Sequence, residues 1–151
     1  TTLLNCVLLH MNSTGSIKSP FNLIQENLNR DPWIILVACV FCNLTRRHTA
    51  EPIIWKFFEK YSCPGQAMQA DFDEVREMLK PIGLSSRRAK TLIRMSREFI
   101  EKDWEEPIEL YGIGKYANDA WKIFCTPFWK DVKPKDHALV WYHDWLKKNY
   151  P

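Results

Sequence analysis

Leu110-Tyr111-Gly112-Ile113-Gly114-Lys115-Tyr116-Ala117-Asn118 sets two of the chain's five glycines on either side of one apolar residue, directly ahead of a run that starts a helix. Two glycines let a backbone turn tightly and approach a ligand closely. The amide N–H groups that open the next helix have no partner within it and point toward an anion. The stretch therefore suits a phosphate. An ordinary helix–helix turn, where glycine is common, fits the same residues equally well. The surrounding sequence has to decide.

Outward from this hairpin the punctuation is helical. Pro107 opens the short segment Pro107-Ile-Glu-Leu110 just before it. Further upstream, Ser85 or Ser86 starts a longer helix with Ala89, Leu92, Ile93, Ser96, Phe99 and Ile100 on one side. Asp71 or Asp73 opens another that carries Val75, Met78 and Leu79 and must end near Pro81. Thr49 is placed to cap a helix with Ile53, Ile54, Phe57, Phe58 and Tyr61 at helical spacing. Asp31-Pro32 is an N-cap followed by proline at the first helical position. The run behind it, Trp33 to Cys42, is apolar on every face, as in a helix at the middle of a bundle. Beyond the hairpin, a final helix from about Lys135 to Lys148 has Ala138, Trp141, Tyr142, Trp145 and Leu146 as its apolar stripe, with Lys147 and Lys148 suiting its C-terminal end. Strand-like alternation and fixed-period repeats are absent. The expected fold is all-α, a single compact domain of many short helices.

Composition sets the outer bounds. A chain of 151 residues that is 46% hydrophobic and 13% aromatic, with seven Trp, buries a real core and is no disordered tail. The net charge of +3 is a mild basic bias, compatible with DNA without demonstrating it. Cys6, Cys39, Cys42, Cys63 and Cys125 form an odd, unpatterned set that fits a reducing compartment better than a disulfide framework. Cys39-Val-Phe-Cys42 is formally a C-x-x-C, yet neither a second ligand pair nor a strand–helix–strand context accompanies it, so these read as core thiols. The apolar run that holds them is too short to cross a bilayer, which takes about 20 residues. Leu3-Leu4 and Val7-Leu8-Leu9 follow no basic segment and precede no small-residue cleavage site, so a signal peptide is not expected. Residues 1–17 read as an N-terminal extension or linker and residues 18–151 as the domain.

The hairpin segment resembles the helix-hairpin-helix of the endonuclease III superfamily of DNA glycosylases, with Gly112-Ile113-Gly114 as the hairpin. That family places an Asp about twenty residues on, and here Asp136 stands in Lys133-Pro-Lys-Asp-His137. The likeness narrows further. Ser19-Pro-Phe-Asn-Leu-Ile-Gln25, Asp31-Pro-Trp33, Trp55-Lys-Phe-Phe-Glu-Lys-Tyr61, Leu79-Lys-Pro-Ile-Gly-Leu84, Arg88-Ala-Lys-Thr91, the hairpin, and Asp136-His together with Tyr142-His-Asp-Trp-Leu146 are similar, in order, to the glycosylase domain of the methyl-CpG-binding-domain mismatch glycosylases.

The resemblance implies a nuclear base excision repair enzyme that acts as a monomer on mismatched double-stranded DNA, without a membrane or a metal cofactor. It would extrude a thymine or uracil from the duplex and cut its glycosidic bond. Asp136 would be the catalytic carboxylate, kept ionised near a helix N-terminus and stabilising positive charge on the sugar. Taken alone, it reads as a plain N-terminal helix Asp. Gln25 and Tyr116 would line the base pocket, where an amide and a phenol suit the carbonyl and N–H edge of a pyrimidine. A helix-surface Gln and a core Tyr are the bland readings. Gly112, Ile113, Gly114 and Lys115 would hold a phosphate, and Arg87, Arg88 and Lys90 would add phosphate contacts unless they form a solvated face. Leu84 would be the apolar wedge, although a Leu ending a helical stripe is more often core.

Two absences bear on the chemistry. Bifunctional relatives carry a Lys two positions after the second hairpin glycine; Tyr116 stands there and forms no Schiff base. Lys115 is one residue earlier, about 100° around the helix. The Cys quartet that holds an iron–sulfur cluster in many relatives is also missing. The sequence departs from the family at two places. Leu44 replaces the Arg that follows Asn43 and fills the space left by the base, with Arg46 and Arg47 close behind; Ala138 replaces a Lys two residues past the Asp. Two alternatives stand beside this reading. One is a uracil-only enzyme of the same class. The other, because of Leu44 and Ala138, is a helix-hairpin-helix DNA-binding module that has lost catalysis, against which the presence of Asp136 speaks.

Overall fold

The computed structural model describes residues 17–151, so the expected extension lies outside it except for Ile17. Among the described residues there are seven α-helices: α1 (Pro32–Cys42), α2 (Arg47–Lys60), α3 (Pro64–Ala67), α4 (Phe72–Leu79), α5 (Ser85–Glu101), α6 (Lys115–Cys125) and α7 (His137–Asn149). Three 3-10 turns, Ile24–Asn27, Lys80–Ile82 and Pro107–Glu109, complete the order, and no strand occurs among these residues. None of the described helices is long and apolar enough to cross a membrane.

The all-apolar run forms the central helix. Asp31 caps it by accepting a hydrogen bond from the Ile34 amide at 3.0 Å, with Pro32 in the first turn. Trp33 and every residue from Ile35 to Phe41 are buried, because α1 is packed against α2, α5 and α6. The polar Ser96 in the stripe of α5 has a partner there: the Trp33 indole N–H donates to its Oγ at 2.9 Å, and that hydroxyl donates to the Leu92 carbonyl at 2.6 Å. A buried indole is thereby satisfied instead of paying for desolvation. Phe57 extends the core on α2, with ring centroids 5.5 Å from Phe41 and 5.2 Å from Tyr61.

Three details differ from the sequence expectation. Helix α2 begins before Thr49: Arg46 is its N-cap, and the Thr49 and Ala50 amides bond the Arg46 carbonyl, with no side-chain cap at all. On α5, Met95 is fully buried whereas Ile100 is half exposed, since the stripe turns out of the core in the last turn. On α7, Trp141 is 56% exposed and His143 takes a buried place, its Nε2 donating to the Trp129 carbonyl at 2.8 Å. The segment before α7 supplies that acceptor, and a hydrogen-bonded imidazole can be buried where hydrophobicity alone would favour indole.

Candidate active site

The hairpin is built by Gly112. Its φ of +74° lies in the left-handed region, and a Cβ added there would sit 2.4 Å from Thr91 Cγ2. Both the backbone and the close approach to α5 therefore require glycine. Gly114 has no such demand; it is the extended N-cap of α6, and a Cβ there would meet nothing within 4 Å. Ile113 turns its side chain into the core, so only its backbone faces the hairpin. The first helical bond of α6 runs from the Asn118 amide to the Gly114 carbonyl, which leaves the preceding amides for an anion.

Side chains brace this loop on both sides. Asn118 Oδ1 accepts from the Ile108 amide at 2.9 Å, and Glu98 Oε1 accepts from the Tyr111 amide at 3.0 Å. Lys115 bonds Asp119 at 2.6 Å and the Lys133 carbonyl at 2.9 Å, tying the start of α6 to the segment that leads into Asp136. Arg87 and Lys90 are exposed on α5, with the Lys90 ammonium over the Tyr111 ring.

Asp136 is the N-cap of α7. Its Oδ2 accepts from the Leu139 amide at 3.1 Å, which uses one carboxylate oxygen for the helix, and the residue is exposed. It lies one residue before the helix, whereas the sequence reading puts it inside the first turn of a helix starting at about Lys135. The 3-10 turn Ile24–Asn27 packs on α1 and α6 and brings Gln25 to Tyr116, 91 positions away in sequence. Gln25 is 2% exposed; its Nε2 donates to the Tyr116 hydroxyl at 2.9 Å and toward Cys39 Sγ at 3.7 Å. Burial pushes the Tyr116 phenol well above its usual range, and Cys39, Cys42 and Asp136 add to that rise. Burial likewise pushes the Cys39 thiol up to about 12 and Cys42 to about 11, with Asp136 a smaller contributor to both. Gln25, Tyr116, Asp136 and the two α1 thiols thus share one neighbourhood.

Two residues beside the site, Cys39 and Glu26, were given no site role by sequence reasoning. Cys39 was read as a core thiol only, and it is also the neighbour of the Gln25 amide. Glu26 is buried, and its carboxylate accepts from the Ser19 amide at 2.5 Å, the Ser19 hydroxyl at 2.9 Å and the Leu23 amide at 2.5 Å. It fastens the turn that presents Gln25. The available signal was an acidic residue next to Gln25 with Ser19 close upstream, which is too common a pattern to act on.

The two leucine loops are both bonded by Arg88, in the first turn of α5. Leu44 is 85% exposed with φ +64°, and Leu84 is 50% exposed with φ +50°. Arg46 is exposed, whereas Arg47 pairs with Glu51 at 3.0 Å and donates to the Asn22 carbonyl. The expectation for Arg88 is corrected: it is 4% exposed, and its guanidinium bonds four protein oxygens instead of facing solvent.

An all-helical bundle with a braced glycine hairpin at one helix start and a carboxylate cap at the next has the features of a helix-hairpin-helix protein. The chain belongs to the HhH-GPD superfamily of base excision DNA repair proteins, whose family model matches residues 38–147. It is 38% identical over 133 residues to a methyl-CpG-binding domain protein 4-like protein of Arabidopsis thaliana, covering 88% of this chain and 30% of that one. It is 31% identical over 118 residues to a thymine/uracil-DNA glycosylase of Methanothermobacter thermautotrophicus, covering 74% and 52% of the two chains. Its fold is similar to that of a thermostable thymine-DNA glycosylase, with a TM-score of 0.61, 25% identity, and coverage of 82% of this chain and 58% of the other. The chain thus spans from about a third to about half the length of these curated relatives.

Proposed function

We propose that the chain is a monofunctional DNA glycosylase that removes thymine or uracil from G·T and G·U mismatches in duplex DNA. The observation that carries this reading is the Asp136 carboxylate, with one oxygen unbonded among the described residues, close enough to the buried Gln25–Tyr116 pair for its charge to raise the Tyr116 phenol. A base within a duplex has to leave the stack before it reaches such a pocket. Gln25 Oε1 accepts no hydrogen bond among the described residues and is available to a pyrimidine N–H, while the Tyr116 hydroxyl stays protonated and can donate to a carbonyl. As the bond from C1′ to the base nitrogen breaks, the base departs with the electron pair and the sugar gains positive charge. The Asp136 carboxylate stabilises that charge and takes the proton of the water that adds to C1′.

The absence of strand cleavage is part of the same reading. Tyr116 occupies the place where an attacking amine would stand, and the Lys115 ammonium is engaged by Asp119 and Lys133. Incubation with a G·T duplex should leave an intact strand bearing an abasic site, cleaved only after alkali. Borohydride should trap no covalent complex; efficient trapping would refute the monofunctional assignment. Duplex binding with no base released from G·T or G·U would reduce the protein to a DNA-binding module.

A further inference from the structure

Leu44 and Leu84 are unusual in the same way. Each is an exposed, branched apolar residue in the left-handed region, a backbone conformation that disfavours L side chains and persists only where neighbours hold it. They belong to different loops, one between α1 and α2 and the other between the Lys80–Ile82 turn and α5. What holds both loops is one side chain. Arg88 Nη2 donates to the Asn43 carbonyl and the Thr45 hydroxyl, each at 2.6 Å, on either side of Leu44. Arg88 Nη1 donates to the Ile82 carbonyl at 2.9 Å and the Gly83 carbonyl at 2.8 Å, immediately before Leu84.

The chemistry of this contact is specific. A buried guanidinium is costly, and no carboxylate pairs with Arg88 among the described residues. Its charge is met by carbonyl and hydroxyl dipoles alone. The planar fork directs its two terminal nitrogens to two separate loops, which a lysine ammonium at one point cannot reproduce. An apolar tip alone would need no such device. Two tips that must enter a base stack at a fixed separation would.

We infer that Arg88 is a positioning residue for base extrusion, joining the Leu44 loop and the Leu84 loop so that both enter DNA as one unit. This rests on the excision reading above. Arg88 touches neither the base nor the sugar; it acts through the two leucines.

The test compares Arg88→Lys and Thr45→Val with the unchanged chain. Folding is followed by thermal melting, extrusion by the fluorescence of 2-aminopurine beside the mismatch, and excision by single-turnover rates. Excision is measured on a G·T duplex and on a uracil in an unpaired bulge, which needs little extrusion. Both variants should lose extrusion signal, and their G·T rate should fall about tenfold more than their bulge rate, as expected for the loss of hydrogen bonds to a charged group. Leu44→Ala and Leu84→Ala should be non-additive in the unchanged chain and additive on the Arg88→Lys background. Equal losses on both substrates, a normal extrusion signal, or additive leucines in the unchanged chain would overturn the inference. If Arg88→Lys does not fold, Thr45→Val and the leucine cycle decide alone. An unchanged chain that extrudes the base but releases none sinks the excision reading, and the fluorescence comparison still tests Arg88.

Discussion

At Asp136 the two carboxylate oxygens have separate roles: one bonds the Leu139 amide, and the other has no partner among the described residues. Asparagine caps a helix about as well as aspartate. Asp136→Asn should therefore keep its melting temperature and its duplex affinity while losing excision by a factor of about 10² or more, since only transition-state charge is affected. Asp136→Ala should in addition lose about 1 kcal/mol of stability with the cap. Near-normal excision by purified Asp136→Asn would remove this residue from the mechanism. Gly112 offers a second test at this scale. Gly112→Ala meets Thr91 Cγ2 at 2.4 Å and carries φ +74°, so it should destabilise the fold by more than about 1 kcal/mol. Adding Thr91→Ala should restore the steric part and leave the backbone part. A double variant no more stable than the single one would show that packing against α5 is not the constraint.

At the scale of elements, the loop from α1 to α2 carries Leu44, one of the two residues at which the sequence was expected to differ from the glycosylases it resembles. Leu44 stands fully out of it, and of the nearby cations Arg47 is held by Glu51 and Asn22 whereas Arg46 is exposed. Leu44→Arg should raise duplex affinity or the G·T excision rate, because a guanidinium reaches phosphates and stacks beside a vacated base, each worth on the order of 1 kcal/mol. Selectivity against A·T should fall as the rate rises, because a paired base costs more to extrude than a mismatched one. Single-turnover rates of Leu44→Arg and Arg46→Ala on G·T and A·T duplexes decide whether Leu44 leaves the space of the extruded base open or Arg46 already fills it. If neither changes the G·T rate, this loop does not take part in extrusion.

For the whole molecule, the buried acids of the site make stability depend on alkaline pH. Cys39 rises from 9.0 to about 12 and Cys42 from 9.0 to about 11, both chiefly through burial. Below pH 9 their thiols are protonated in folded and unfolded chains alike. Above it the unfolded chain gives up protons that the folded chain retains, so the stability associated with the neutral thiols is present below pH 9 and lost as pH rises toward the folded values. The unfolding free energy from denaturant melts should fall between about pH 9 and about pH 11, by at most about 1.4 kcal/mol per pH unit for each thiol. Cys39→Ala should flatten that slope; an unchanged slope would place the pH dependence elsewhere.

The sequence by itself determined the features whose physics is local. Asp31, Asp71 and Asp136 each bond an amide three residues on, so a cap is decided within one turn and can be read from a few letters. The all-apolar α1 and the left-handed glycine of the hairpin are legible for the same reason. Even the resemblance that singled out Gln25, Tyr116 and Asp136 worked through short ordered blocks, and left unsaid how they meet. Only the tertiary structure decided that Gln25 bonds Tyr116 across 91 positions, or that Cys39 lies beside the pocket amide. It also turned Arg88 from an apparent surface cation into a buried link to Asn43, 45 positions away. Whether a polar side chain is buried depends on acceptors that other segments supply after folding, and no spacing within one helix encodes where those acceptors will be.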